Sequence, residues 1–539
     1  MKPFDINGDF HPVAGGGELR RLAVRGAGAT VLSSAGALAV QMIATVVLAR
    51  LLTPADFGVV AMVTTFSLLL LNFGLNGFTE AILQWDQLTH GLASNLFWIN
   101  LGCGAALTLG FAAAGSLMAR FYGDARVTHV AAGVSLAIFL TSTSVLHLAL
   151  LKRAMRFSAA SVNDIVSRAA SVVVSIALAW AGWGYWALVA GVVAQPLSQS
   201  VGAWFLCRWL PGLPRRVSGT GSMVRFALHI YGRFTVNYCA RNMDNLLVGW
   251  RFGPGALGFY KKAYDLFLLS ATQLVSPLTN VAVSALSRLH RDSAQYRKYL
   301  LSSLAVIAFV GMGVGADLTL VGKDVIRLLL GPGWDPAGRI FMFFGPGVGI
   351  MLLYYTHGWI HLSIGTADRW FRWVFVEFAV TGLLFLLGLR WGPEGIAVAW
   401  TLSFCILVVP AFWYAGRPIH FGVGPVVAAV WKYVLASLLA GGGAAAIIRS
   451  LWTLAEAPTT FTAFTHIVMD SAIFVTLYIA IVVLLHRSFA PLNQLLRLAR
   501  QMAPLGKFAG APSETTPAAV PGAAGLPEQA LVPSDSGGS

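Results

Sequence analysis

The chain has 539 residues, 57% of them hydrophobic and only 11% charged, and 37 Lys and Arg against 22 Asp and Glu leave a net charge of +15. A soluble protein of this length would carry roughly 25% charged residues, so most soluble readings are ruled out. No soluble basic domain exists to bind nucleic acid, and the positive charge is read instead as a topology signal.

The first 28 residues are polar and Gly-rich, with no apolar core of a cleavable signal peptide. Long apolar stretches then follow one another. A helix needs about 20 apolar residues to cross the ~30 Å hydrocarbon core, and only intrasegment pairing satisfies its backbone there. Spans are expected at 29–49, 59–82, 93–117, 128–151, 161–181, 184–207, 223–249, 257–286, 300–321, 340–364, 371–389, 394–415, 425–448 and 463–486. Asp164 and Arg168 fall inside the fifth, as a self-neutralising i,i+4 pair. The eighth opens with Lys261, Lys262 and Asp265. After the last span, 491–502 reads as a short amphipathic helix on the inner leaflet or a fraying span end. Residues 503–539, dominated by Ala, Pro, Gly and Ser, read as disordered. Connecting loops are short, and no extramembrane catalytic domain is expected.

Lys and Arg alternate between successive loops. With the N-terminus inside, the inner segments hold them at roughly two to one over the outer ones, so both termini are expected in the cytoplasm. Cys103, Cys207, Cys239 and Cys405 lie in predicted spans without metal-like spacing and read as small core residues. Trp334, Trp359, Trp370 and Trp391 lie near span ends, where interfacial anchors belong.

A short internal repeat is visible. RLLTPADFG at 50–58 follows the first span, and RFGPGALG at 251–258 follows the seventh. The offset of six spans preserves orientation, as a parallel repeat of two bundles requires, and such transporters bind substrate between the bundles. The expected architecture is an all-α polytopic membrane protein of about 14 transmembrane helices. Two six-helix lobes form a parallel pseudo-repeat, followed by two extra C-terminal helices. The divisions are a cytoplasmic segment (1–28), an N-lobe (29–210), a C-lobe (211–415), two further helices (416–487) and an amphipathic segment with its tail (488–539).

At ~100° per residue, polar stripes appear on the spans that the repeat pairs. Ser34, Gln41 and Thr45 share a face of the first span, and Thr65, Asn72, Asn76 and Glu80 a face of the second. Arg233, Asn237, Arg241 and Asp244 share a sector of the seventh, and Asp265, Thr272, Ser276 and Asn280 one of the eighth. Such stripes line a cavity or hydrogen-bond neighbouring helices. The arginines suit the cavity reading best, because a buried guanidinium is costly and cannot lose its charge. Asp244 is close enough in sequence to neutralise Arg241, which leaves Arg233 the more available cation. Substrate-binding candidates are therefore Arg233, Arg241, Asn237, Asp244, Asn72, Asn76, Glu80, Gln41 and Asp265. Glu377 and Asp470 read as structural pairs, with proton coupling as the alternative. His357 and His361 have metal-pair spacing but no third ligand. No P-loop, nucleophile elbow or zinc-protease motif is present. No catalytic residue, metal or cofactor is expected.

LARLLTPADFGVVAMV (48–63), ARFYGDARV (119–127), LKRAMRF (151–157), NYCARNMDNLLVGWRFGPGALGFYKKAYDL (237–266), SALSRL (284–289) and VIRLLLGPGW (325–334) carry a family resemblance. The chain resembles the lipopolysaccharide and exopolysaccharide repeat-unit flippases of the multidrug/oligosaccharidyl-lipid/polysaccharide exporter superfamily, over residues 20 to 415. The resemblance implies a V-shaped pair of six-helix lobes cycling by alternating access in the bacterial inner membrane. It implies an undecaprenyl-pyrophosphate-linked oligosaccharide as substrate, with basic cavity residues, best matched here by Arg233 and Arg241, holding pyrophosphate or acidic sugars. Membrane lipid, a polymerase and export machinery are the other implied partners, and nucleic acid is not one. Two alternatives stand beside this reading. A drug or small-metabolite exporter of the same superfamily would favour an acidic cavity. A membrane-embedded sugar polymerase or glycosyltransferase would need a sizeable catalytic loop.

Overall fold

The structure is a computed structural model that describes residues 3–5, 8–10, 17–85, 87–217, 219–451 and 460–493. The side chains of 17–32, 76, 233, 237, 240, 270–278, 280–281, 451 and 460 also lie outside the description. Residues Met1–Pro491 form one compact unit and Leu492–Ser539 a second. Nearly all of the second, including the expected amphipathic segment and tail, lies outside the described residues.

The described chain is helical: α1 (Gly17–Leu51), α2 (Pro54–Gln84), α3 (His90–Tyr122), α4 (Arg126–Arg153), α5 (Phe157–Trp180), α6 (Tyr185–Cys207), α7 (Thr220–Leu289), α8 (Ser293–Leu330), α9 (Asp335–Tyr355), α10 (His357–Ser363), α11 (Ala367–Gly388), α12 (Gly392–Gly416), α13 (Val423–Leu451) and α14 (Thr460–His486). Ten described stretches are long and apolar enough to cross a membrane, and Ala367–Ile419, counted as one of them, contains both α11 and α12. The chain is thus a multi-pass helical membrane protein, while the count of fourteen stays an expectation. The expected seventh and eighth spans are two limbs of α7, which bends at Gly253, where φ is 78° and ψ −177°. Glycine adopts that backbone without the Cβ clash other residues meet.

Helices α1–α6 pack mainly on one another, with α2 and α4 central. Helices α8, α9, α11 and α12 pack around α7, and α13 and α14 lie against α8. The two groups meet chiefly along α2 and α7. The phenols of Tyr231 and Tyr238 on α7 donate across this seam to the carbonyls of Leu69 (2.9 Å) and Thr65 (2.8 Å) on α2.

At the Arg153 end of the first group, residues 3–5 and 8–10 fold onto the loop before α3. Phe10 N donates to Leu88 O (3.2 Å), and Phe4 packs against His90 and Trp209. Arg153 donates to the carbonyls of Ile82 and Trp85 and stacks on Phe10 at 5.2 Å. The guanidinium thereby satisfies acceptors left open where α2 ends.

Two packing expectations need correction. Trp334 and Trp359 are buried at 2% exposure rather than interfacial. The indole of Trp334 donates to Ala49 O (2.8 Å), so it clamps α1. Of the cysteines only Cys207 is buried, while Cys239 and Cys405 are exposed.

Candidate functional site: a polar groove among the helices

Two adjoining cavities run along the inner face of the first helix group. One, of about 550 Å³, is walled by α1, α2, α4, α5, α6 and the second limb of α7. Gln41, Thr45, Thr64, Asn72, Lys261, Lys262 and Asp265 give it its polarity. The other, of about 690 Å³, carries Ser33, Ser34, Lys152, Asp164 and Arg168. The two share Gln41, Leu75, Gln195 and Gln199. Together they form a groove from Phe57, at the start of α2, to Lys152, at the end of α4. Each end carries more than one cation. Lys261 pairs with Asp265 one turn on, and the Lys262 ammonium lies 4.2 Å from the centre of the Phe57 ring. At the far end Arg168 pairs with Asp164 at 2.9 Å, as their spacing predicts, and Lys152 stands exposed beside them.

The two copies of the repeat cross beside the Phe57 end. Thr53 caps α2 and exchanges hydrogen bonds with Asp56, which with Pro54 fixes where that helix starts. The non-helical backbone of Gly253, followed by Pro254, sets the start of the second α7 limb. The two starts cross. A Cβ on Gly58 would lie 1.7 Å from the Pro254 carbonyl oxygen, and one on Gly258 would lie 1.8 Å from that of Pro54. Each repeat glycine thus receives the other repeat's proline carbonyl. Trp334 packs on Phe57 and Phe259, and Arg50 donates to Leu328 O (2.9 Å), which fastens the seam from the α8 side.

The predicted site residues divide. Gln41, Asn72 and Asp265 line the 550 Å³ cavity. Glu80 does not line either cavity and accepts from Gln84 at 3.4 Å. Asp244 turns away from Arg241 into the second helix group, contrary to the expected pairing. It is fully buried, and its carboxylate accepts from Tyr260 (2.8 Å), Trp400 (2.9 Å) and the Asn245 amide (2.8 Å). Those three donors suit a carboxylate committed to helix packing. Arg241 instead faces Tyr355, whose hydroxyl is 3.5 Å from Nη1 and whose ring centre is 5.2 Å from the guanidinium. Beside it Glu377 accepts from Tyr354 at 2.9 Å, the interhelical pairing expected of it. His357 packs against Tyr354 and His361 stacks on Trp370 within that aromatic cluster, with Nδ1 of His361 3.0 Å from Thr366 Oγ1. The side chains of Arg233, Asn237 and Asn76 lie outside the described residues.

Sequence reasoning passed over Gln195, Gln199, Lys261, Lys262, Lys152 and Arg168 as site residues. The lysines read as loop charges at a span start, although their approach to Phe57 brings them inside. The i,i+4 pair Gln195 and Gln199 was the available signal on α6.

Residues 47–339, more than half of the chain, match the model of the family described as polysaccharide biosynthesis protein. The succinoglycan biosynthesis transport protein ExoT of Rhizobium meliloti is 22% identical over 66% of this chain and 72% of its own length. The teichuronic acid biosynthesis protein TuaB of Bacillus subtilis is 25% identical over 64% of this chain and 71% of its own. A solved structure of the lipid II flippase MurJ in an inward closed conformation superposes with a TM-score of 0.69 at 13% identity, covering 86% of this chain and 99% of that one. The last likeness speaks for the fold. With the family match, the resemblance drawn from the sequence motifs holds, and the chain belongs to the polysaccharide biosynthesis protein family.

Proposed function

We propose that this protein is a flippase that carries lipid-linked oligosaccharide repeat units across the bacterial inner membrane for polysaccharide biosynthesis. One observation carries the reading: a polar, cation-bearing groove runs between helices of which α1, α2, α4 and α5 are each long and apolar enough to cross a membrane. An oligosaccharide cannot cross hydrocarbon unaided, because each hydroxyl stripped of water without a partner costs several kcal/mol. The groove replaces that water while the lipid tail stays in the bilayer. The family membership and the names of its relatives support the same substrate class.

In this reading the two helix groups are the two lobes, both termini are cytoplasmic, and the seam of Pro54, Gly58, Pro254 and Gly258 closes the outer end. Lys261 and Lys262 beneath it, with Arg233 and Arg241 on α7, are the cations for pyrophosphate or acidic sugars. A lysine acts there as a point charge and an arginine as a bidentate fork. A polymerase and export machinery acting on the delivered unit are the proposed partners. The cationic ends of the groove disfavour an exporter of organic cations.

The experiment is made in the bacterium that carries this protein, with its polysaccharide as the readout. Deletion should make lipid-linked repeat units accumulate on the cytoplasmic side, and Lys262→Gln should restore export poorly at normal protein abundance. Normal export in the deletion strain would remove the proposal.

A further inference from the structure

Where the two cavities adjoin, the wall is neutral. Gln41 of α1, Gln195 and Gln199 of α6 and Leu75 of α2 border both cavities. Their side-chain amides hydrogen-bond to no described residue. Gln41 and Gln199 accept only on their backbone carbonyls, from Thr45 (2.8 Å) and Asn163 (3.0 Å). Polar side chains in transmembrane helices normally find a partner across the helix interface, and the next polar residue of α6 does so: Ser200 donates to Leu140 O at 2.7 Å. Three such amides, Gln41 exposed and Gln195 and Gln199 half-buried, meet on one stretch of the groove wall, where a ligand in the groove can reach them.

Helix α6 adds a fourth group. Pro196 sits inside the helix and has no N–H, so the Val192 carbonyl lacks its usual helical donor. Val192 and Pro196 both line the 550 Å³ cavity. The patch therefore offers three amides, each able to donate and accept, one further acceptor and an apolar side chain, with no charge. A phosphate or carboxylate is better served by the cations at either end. A sugar hydroxyl, which donates and accepts at once, matches the amides.

We propose that Gln41, Gln195, Gln199 and the Val192 carbonyl form a subsite for an uncharged sugar ring, separate from the cationic ends that hold anionic groups. This rests on the lipid-linked oligosaccharide reading and assigns the part of the groove that senses the sugar.

The test uses purified full-length protein in nanodiscs and two probes: undecaprenyl pyrophosphate bearing a neutral disaccharide, and undecaprenyl pyrophosphate alone. Gln195→Met with Gln199→Met keeps side-chain volume and removes the hydrogen bonds. Affinity for the disaccharide probe should fall roughly tenfold, the loss of two hydrogen bonds, with affinity for the bare lipid unchanged. Lys262→Gln should weaken both probes alike. An equal loss for both probes in the methionine variant, or no loss for either, would overturn the subsite while leaving the flippase reading standing. Equal affinity of the wild-type protein for the two probes would overturn the subsite as well. Failure of the wild-type protein to bind either probe would overturn both readings.

Discussion

Replacing Gly58 and Gly258 by valine attacks the seam where the two repeat copies cross. The new Cβ atoms would fall 1.7 and 1.8 Å from the carbonyl oxygens of Pro254 and Pro54, against 3.4 Å or more for ordinary contact. Both obstacles are backbone at helix starts, so no side chain can rotate aside. The opposed helices must retreat by roughly 1.5–2 Å at each glycine, and overpacking of that kind costs ~1–3 kcal/mol per site. Two sites together should shift the balance between sealed and open forms by about 30-fold or more. The readout is a single cysteine at Thr64, in the wall of the 550 Å³ cavity, in a chain otherwise free of cysteine. A membrane-impermeant maleimide added outside intact cells should label it slowly when the glycines are present and at least ten times faster in the double variant. Unchanged labelling, with the protein still abundant in the membrane, would refute the claim that these glycines hold that end shut. A complementary lock joins Arg50→Cys to Leu328→Cys with a short cleavable bis-maleimide. It should stop export, and cleavage should restore it.

Four other outcomes are expected. Cysteines introduced at Gly123 and Gly333 should react with an external impermeant reagent and those at Met155 and His290 should not; reaction at Met155 in intact cells would invert the topology. Asp244→Ala should destabilise the protein by about 3 kcal/mol, because Tyr260 and Trp400 lose a buried acceptor. Arg241→Gln should leave abundance near normal and reduce export, and loss of the protein from the membrane would make Arg241 structural. In the loop between α3 and α4, hydrogen bonding from Arg126 at 2.7 Å holds the Asp124 carboxyl below the ordinary carboxylate range. The pair's contribution is present above that range and is lost as pH falls through the lowered value. Since Arg126 is 42% exposed, it should be worth under ~1 kcal/mol, read as a small difference in melting temperature between wild type and Asp124→Asn at pH 7 that vanishes near pH 2.

Hydropathy is local, and it was legible. Helices α5 and α6 fall within a few residues of their expected spans, and the seventh and eighth spans appear as the limbs of α7. The repeat was legible too, but not what its copies do. That Gly58 meets Pro254 while Gly258 meets Pro54 depends on how two distant helix starts cross, and a one-dimensional offset does not contain that crossing. The polar stripes identified faces and left their partners open. Asp244 and Arg241 share a sector of α7, yet Tyr260 and Trp400 claim one and Tyr355 the other. Gln195 and Gln199 went unread because a two-residue amide pattern beside a proline is a weak signal until α1 and α2 bring Gln41 and Leu75 beside it. Trp334 shows the opposite error: a tryptophan at a span end fits an interfacial anchor, and only the Ala49 carbonyl reveals a clamp.

The central claim is that the protein turns a lipid-linked oligosaccharide over. It is tested most directly by reconstituting the purified chain into liposomes with undecaprenyl pyrophosphate bearing a fluorescent oligosaccharide, and following the fraction open to a quencher that cannot enter. With symmetric loading, protein-containing liposomes should expose nearly all of the probe over the assay, while protein-free liposomes hold about half of it protected, and the Lys262→Gln variant should slow the exposure severalfold. An equal protected fraction with and without active, correctly folded protein would contradict the account.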